Sequence, residues 1–201
     1  CKKKKGNIKL VREMKVAVLF KDGFETIEAL TVVDVMTRAK IPCLMVGMDD
    51  IEVKSSHNIV VKMNCLYEEM GDVDMVVLPG GLPGATHLQS DKRVIELLKK
   101  MNNEGKYIAA ICAGPISLET SEVVKGKKFT CYPGFDEQIT SGYFTDSLVE
   151  VDGNIITARG PAATIEFALT LLKLIGGDAE TIAESMQYNY LKNTMKEVVS
   201  K

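Results

Sequence analysis

The chain is predicted to fold as a doubly wound α/β sandwich, a mostly parallel sheet flanked by helices. Two observations carry this prediction. Short apolar, β-rich runs alternate along the chain with stretches of helical period, which implies crossover units and a parallel sheet. The strand-like runs also stop at Gly or Pro, as at Asp22-Gly23, Pro79-Gly80-Gly81 and Gly114-Pro115.

The elements follow in order. Met14 to Phe20 is a β-rich run closed by Lys21-Asp22-Gly23. Residues 24–39 show helical spacing, with Ile27, Leu30, Val33 or Asp34, and Met36 three or four apart. Ile41 to Gly47 is a second strand and completes a right-handed βαβ unit. Asn58 to Met63 alternates like a strand or hairpin, and Val73 to Leu78 is a buried strand. An amphipathic helix spans 90–103, a strand Lys106 to Ile111, and a helix roughly 115–122. Beyond these come a short strand at 128–131 and a hairpin over 149–157 that turns at Asp152-Gly153. A helix from Thr164 to Ile175 ends at Gly176-Gly177, and a last helical stretch covers about 179–198.

Composition narrows the function classes. A hydrophobic content of 46% supplies a core, and 26% charged residues suit a soluble globule. No apolar run approaches the roughly 18 residues of a membrane helix, so no membrane partner is expected. Residues 1–13 carry six Lys/Arg and one Glu, and the rest of the chain is acidic, at a net −7. An acidic body argues against nucleic acid as a partner. The basic stretch 1–13 reads as a disordered extension, although Cys1 before four lysines also fits a lipid-anchored start. Residues 14–201 read as one domain. The five cysteines are odd in number and include no C-x-x-C, which points to free thiols in a reducing cytoplasm, with no disulfide framework and no metal site. No cofactor is expected.

Ligands of open parallel sheets gather at the carboxyl ends of strands. Three strand ends are chemically distinctive here: the one leading to Glu25 and Glu28, the one ending in Gly80-Gly81, and the one ending in Cys112. Cys112 follows an apolar strand and precedes small, turn-prone residues that open a helix, the pattern of a nucleophile elbow. A helix N-terminus favours a thiolate, so a lowered thiol pKa is expected. The bland alternative is a small buried apolar Cys. Gly80 and Gly81 fit either an oxyanion site with close backbone approach or a plain turn. Glu25 and Glu28 share a helix face; Glu25 in the first turn fits dipole complementarity, whereas a carboxyl at Glu28 lies in an apolar stretch. Cys43 and Cys65 look like core, and His57 and His87 like surface. Cys131, Tyr132 and Arg159 follow strands and can border the same pocket.

These residues carry a resemblance. Phe24-Glu25-Thr26-Ile27-Glu28-Ala29 with Val33-Asp34-Val35, then Val77-Leu78-Pro79-Gly80-Gly81, Ala109 to Pro115, and Arg159-Gly160-Pro161 occur in this order over about residues 14–190. The chain resembles the DJ/ThiJ/PfpI superfamily, in the branch of the parkinsonism-associated protein deglycase and its bacterial relatives. The resemblance implies a flavodoxin-like sandwich, related to class I glutamine amidotransferases, and a homodimer. It implies that Cys112 is the reactive, oxidisable cysteine, that Glu28 is the protonated acid touching it, and that the N–H groups of Gly81 and Ala113 stabilise an anion. Ala113 stands where the protease-like branch carries His, which disfavours a protease. Tyr132 stands where the deglycase branch often carries His, which shifts proton transfer onto Glu28. Two functions follow: a glyoxalase/deglycase-type enzyme acting on small reactive carbonyls or glycated protein, with Cys112 as nucleophile, or a redox sensor or stress chaperone using oxidation of Cys112.

Overall fold

The computed structural model describes residues 13–199, so most of the basic stretch 1–13 lies outside the described residues. The strands are β1 Val16–Phe20, β2 Cys43–Gly47, β3 Glu52–Lys54, β4 Val60–Lys62, β5 Cys65–Leu66, β6 Met75–Leu78, β7 Tyr107–Ile111, β8 Lys128–Phe129, β9 Tyr143–Phe144, β10 Val149–Asp152 and β11 Ile155–Ala158. The helices are α1 Thr26–Arg38, α2 Gly84–Ser90, α3 Lys92–Asn103, α4 Ile116–Thr120, α5 Thr164–Leu174, α6 Ala179–Ser185 and α7 Tyr188–Val199.

Seven strands form the main sheet in the order β10-β11-β7-β6-β1-β2-β5. All neighbours pair in parallel except β10 with β11, the hairpin turned at Asp152-Gly153. Helices cover both faces, as the sequence predicts. The residues of β1 are fully buried, and they alternate between two cores. Val16, Val18 and Phe20 face the side packed by α1 and α5; Ala17 and Leu19 face the side packed by α2, α3 and α4. A strand buried on both faces reads as an unbroken apolar run, which is why β1 was legible.

The first crossover lays β2 on one side of β1, while the later strands β6, β7 and β11 add on the other. The direction of winding therefore reverses between β1 and β6, and a crevice opens outside their carboxyl ends. Charges clamp this end of the sheet. Lys21, just after β1, pairs with Asp49 and Asp91 at 3.0 Å each, and Arg93 bridges Asp49, Asp91 and Glu68. These cations hold the Asp91 carboxyl far below the usual carboxylate range, although its partial burial opposes them.

Several local readings need correction. Helix α1 buries Glu28, Ala29, Val32, Val35 and Met36; of the residues read at helical spacing, Met36 is buried, Leu30 and Val33 pack partly buried against the core and Ile27 is exposed, so the inward face is rotated toward Glu28 and Val32. The helix read at 90–103 is α3, capped by Asp91, which leaves the helical conformation and accepts from Arg93 N–H, while the short helix α2 before it carried no sequence reading. The stretch 179–198 divides: Gln187 adopts φ 60°, which ends α6 before α7 begins. The hairpin β3–β4 pairs apart from the main sheet. The short strand read at 128–131 is present as β8, and its two-residue partner β9, too short for any periodic pattern, is the one the sequence did not show.

Candidate active site

Strands β1, β6 and β7 are neighbours, so the three distinctive strand ends converge. Cys112 follows β7 directly and adopts φ 63°. A non-glycine residue in the left-handed region stores strain of order 1 kcal/mol. Neighbouring backbone holds it there: Cys112 N–H donates to Ala158 C=O at 2.9 Å, and Tyr132 N–H donates to Cys112 C=O at 3.0 Å. The elbow read from the small residues after Cys112 is present in this geometry. Gly114 is required in the turn, because a Cβ there would lie 2.6 Å from the Leu78 carbonyl oxygen.

Glu28 comes from the first turn of α1 and is fully buried. Gly80 N–H donates to its Oε2 at 2.8 Å. Its Oε1 accepts from no conventional donor, and the carboxyl stands against the Cys112 side chain. Glu25 plays a different part. It is the N-cap of α1, and its Oε2 accepts from Glu28 N–H at 2.8 Å. Its own N–H donates to Gly80 C=O at 2.9 Å. Glu25 therefore fixes the helix start and the Gly80 loop that together aim Glu28.

Gly80 is packed against both reacting side chains. A Cβ on it would sit 2.6 Å from Glu28 Oε2, 2.7 Å from Cys112 Cβ and 3.0 Å from Ala113 N. Gly81 adopts φ +85°, which favours glycine, and a Cβ there would lie 2.4 Å from Glu25 N. The N–H groups of Gly81 and Ala113 are directed at the Cys112 sulfur. Of the two candidate glycine donors, Gly80 is thus spent on Glu28 and Gly81 faces the thiol.

The electrostatics follow from burial. Loss of solvent pushes the Glu28 carboxyl up to about 7, against the stabilising bonds from Cys112 and Gly80. Burial, then the charge of an ionised Glu28, pushes the Cys112 thiol strongly up, against the pull of the Ala113 and Gly81 N–H groups. The lowered thiol pKa expected from a helix N-terminus is therefore corrected. Helix α4 has only five residues, so its dipole is small, and the sulfur is half-buried beside a carboxyl. Two anions cannot share this site, so Glu28 and Cys112 titrate as a pair. A proton on Glu28 removes the charge that opposes a thiolate at Cys112.

The other candidates are spread around this centre. Tyr132 is half-exposed, and Arg159 pairs with Asp146. Both line a cavity of about 260 Å³ together with Pro133, Leu148 and residues 160–163. Cys131 is fully buried with the thiol pushed up to about 12 by burial, and it packs in the core under α4 instead of bordering that cavity. Cys43 and Cys65, on β2 and β5, are half-buried and pack against the two hydrophobic cores. His57 and His87 are exposed. Thr26 Oγ1 and Ser117 Oγ are buried without partners, and neither carried a sequence signal. A larger cavity, about 820 Å³, lies between α5, α6 and α7 and is not lined by any of these site residues.

With this geometry in place, a family model described as the DJ-1/PfpI family matches residues 14–174. The chain belongs to the DJ-1/PfpI family. Among similar proteins, Protein DJ-1alpha of Drosophila melanogaster is 38% identical over 86% of this chain and 83% of its own length. The Parkinson disease protein 7 homolog of Danio rerio is 36% identical over 83% of this chain and 92% of its own. A deglycase of Pyrococcus abyssi is 30% identical over 81% of this chain and 99% of its own. Some relatives are longer: the match to DJ-1 homolog B of Arabidopsis thaliana spans 40% of that protein. Among solved structures, Drosophila melanogaster DJ-1beta superposes with a TM-score of 0.83 at 32% identity, over 87% of this chain and 97% of its own. Oxidised Toxoplasma gondii DJ-1 gives 0.82, also at 32% identity, over 86% and 97%. Its DJ-1/PfpI relatives thus share the flavodoxin-like α/β fold. Among the described residues, no helix is long and apolar enough to cross a membrane.

Proposed function

We propose that this DJ-1/PfpI protein is a cysteine-dependent enzyme of the glyoxalase/deglycase type, acting on small reactive carbonyls or on their early adducts with protein. One observation carries the reading: the half-buried Cys112 sulfur, held at a strained elbow, meets the Glu28 carboxyl and the N–H groups of Gly81 and Ala113 at one point. The deglycase name of the Pyrococcus abyssi relative supports the same class.

The chemistry needs only the groups present and water. The Cys112 proton moves to Glu28, and the thiolate adds to the aldehyde carbon. The C=O electron pair moves onto oxygen, where the Gly81 and Ala113 N–H groups stabilise it. Glu28 returns its proton to that oxygen and leaves a hemithioacetal. With a 2-oxoaldehyde, the Glu28 carboxylate then removes the former aldehyde C–H proton to give an enediol and delivers it to the adjacent carbon, while the hemithioacetal hydroxyl proton shifts to the former ketone oxygen as the thioester C=O forms. The product is a 2-hydroxyacyl thioester, which water hydrolyses to the acid and the free thiol. Glu28 carries the proton in each step, so a histidine at the Tyr132 position is not needed.

A second copy of the chain is the proposed protein partner. Ile27, Ile59 and Val60 are exposed where Phe24, just before α1, bridges to Ser55 beside the β3–β4 hairpin. Val60→Asp is expected to shift the sedimentation of the protein from dimer to monomer.

Methylglyoxal turnover by the purified protein tests the enzymatic reading. Cys112→Ser should abolish it, and Glu28→Gln should lower it about 100-fold, the usual loss for a general acid–base. Turnover that survives Cys112→Ser refutes it. Absent turnover, with clean oxidation of Cys112 by mild peroxide, would point to redox sensing instead.

A further inference from the structure

We infer that Thr157 is a positioning residue for Cys112: its buried hydroxyl closes a ring of hydrogen bonds that holds the thiol at its elbow, opposite Glu28 and the N–H groups of Gly81 and Ala113. This role rests on the Cys112–Glu28 site and deepens it, whichever reaction the thiol performs. Three bonds make the ring. Cys112 N–H donates to Ala158 C=O at 2.9 Å. Thr157, the residue before Ala158, accepts at Oγ1 from Thr130 N–H at 2.8 Å. Two residues beyond Thr130, Tyr132 N–H donates to Cys112 C=O at 3.0 Å. The ring thus leaves Cys112 through β11 and returns to it through residues 130–132, and the Thr157 hydroxyl is its one link made by a side chain.

The surroundings of that hydroxyl are otherwise apolar. The Thr157 backbone is paired on both sides, with Ala110 of β7 and Glu150 of β10, so its side chain stands off the sheet. Ile155 lies on the same face, in the hydrophobic core that also holds Phe129 and Cys131. Valine would suit that core and the strand equally well. Thr157 and Thr130 are both fully buried, so a Thr130 N–H deprived of Oγ1 has no solvent to turn to. Thr130 is held from a second side, where its own Oγ1 donates to Ser147 C=O at 2.8 Å. Cys112 at φ 63° needs such a frame, because a non-glycine residue leaves the left-handed region when its neighbours allow it. A looser elbow costs the sulfur its N–H donors first. Hydrogen bonds weaken steeply with distance and angle, whereas burial and charge repulsion decline slowly. Loosening therefore raises the thiol further and slows its reactions at neutral pH.

Iodoacetamide alkylation of Cys112, followed against pH by peptide mass spectrometry beside thermal melts, tests this in Thr157→Val, Thr157→Ser and Leu172→Ala. Thr157→Val keeps the shape of the side chain and loses the acceptor. It is expected to slow alkylation at pH 7 about tenfold, the effect of raising a thiol by about one pH unit. Thr157→Ser retains the hydroxyl and should match the wild-type profile. Leu172 is buried on α5, away from the ring, so Leu172→Ala should lower the melting temperature and leave the profile in place. An unmoved or faster rate in Thr157→Val, or an equal slowing in Thr157→Ser or Leu172→Ala, overturns the role and leaves Thr157 a residue of the core. Where Thr157→Val fails to fold, amide exchange in the native wild type decides. The Thr130, Tyr132 and Cys112 N–H groups should then exchange at one common rate, since release of one bond opens the ring. A Thr130 rate about tenfold apart from the other two refutes it. The readout needs no turnover, so failure of the carbonyl reading and failure of this role are separate outcomes.

Discussion

Gly80 donates its N–H to Oε2 of Glu28 at 2.8 Å, which leaves Oε1 as the oxygen without a conventional donor beside Cys112. The backbone thus holds the carboxyl in one orientation and satisfies one oxygen in a fully buried site. The other oxygen is stable there when it carries a proton, and this explains why burial raises the group.

Stability should fall as pH rises through the Glu28 titration. The folded-state carboxyl titrates at about 7, against about 4.5 in the unfolded chain, so the folded state binds more protons between these values. Its contribution is fully present below about 4.5 and is lost as pH rises through 7, a change of roughly 3 kcal/mol. Glu28→Gln removes this dependence while keeping an acceptor for Gly80 N–H. Urea denaturation at pH 5 and pH 8 should show the variant gaining on the wild type at the higher pH. A constant difference between the two proteins would mean that Glu28 is ionised throughout.

Alkylation of Cys112 by iodoacetamide should follow two steps in the wild type, one of them near pH 7, because the sulfur and the carboxyl release protons as a pair. Glu28→Gln should collapse the profile to one step. That step should lie below the upper step of the wild type, since the carboxylate that opposes the thiolate is gone. A single ordinary thiol titration in both proteins would show that the two groups do not interact.

Gly80→Ala should damage structure and site together. Its Cβ would press on Glu28 Oε2, Cys112 Cβ and the Ala113 nitrogen at once, and backbone cannot yield cheaply. A loss of about 1–3 kcal/mol is expected from overpacking, with the alkylation step near pH 7 shifted or lost. Thermal melts and labelling of the same sample check both. Wild-type melting and labelling would mean that the loop moves freely.

Glu25→Ala should cost about 0.5–2 kcal/mol through loss of the α1 cap, and Glu25→Gln much less, because Gln retains an oxygen acceptor for Glu28 N–H. The alkylation profile of Glu25→Gln should stay close to the wild type. Equal effects of Glu25→Gln and Glu28→Gln on that profile would contradict the division of roles between cap and acid.

Cys131 should resist mild peroxide until the protein unfolds. It is fully buried and its thiol is pushed up to about 12, while Cys112 is half-buried with N–H groups directed at its sulfur. Peptide mass spectrometry of briefly oxidised native protein ranks the two. Oxidation of Cys131 before Cys112 would show that the core under α4 opens readily.

The sequence by itself determined the succession of strands and helices, the strand ends at Gly23, Gly80 and Cys112, and the need for small residues after the thiol. These are local properties: an unbroken apolar run marks a strand buried on both faces, and glycine marks backbone that must turn or approach closely. Tertiary structure decided which face of α1 turns inward. A helical period read from Ile27, Leu30, Val33 and Met36 fits only in part: Met36 is buried, yet Ile27 is exposed and Glu28 beside it is buried instead. The reason is that a buried carboxyl is unfavourable until its partners arrive. Its partners, the Gly80 N–H 52 residues away and the Cys112 thiol beyond it, meet it only once β1, β6 and β7 lie side by side. The direction of the thiol shift was decided in the same way, because both its causes, burial first and then the Glu28 carboxyl from another strand's crossover helix, arise only in the packed fold.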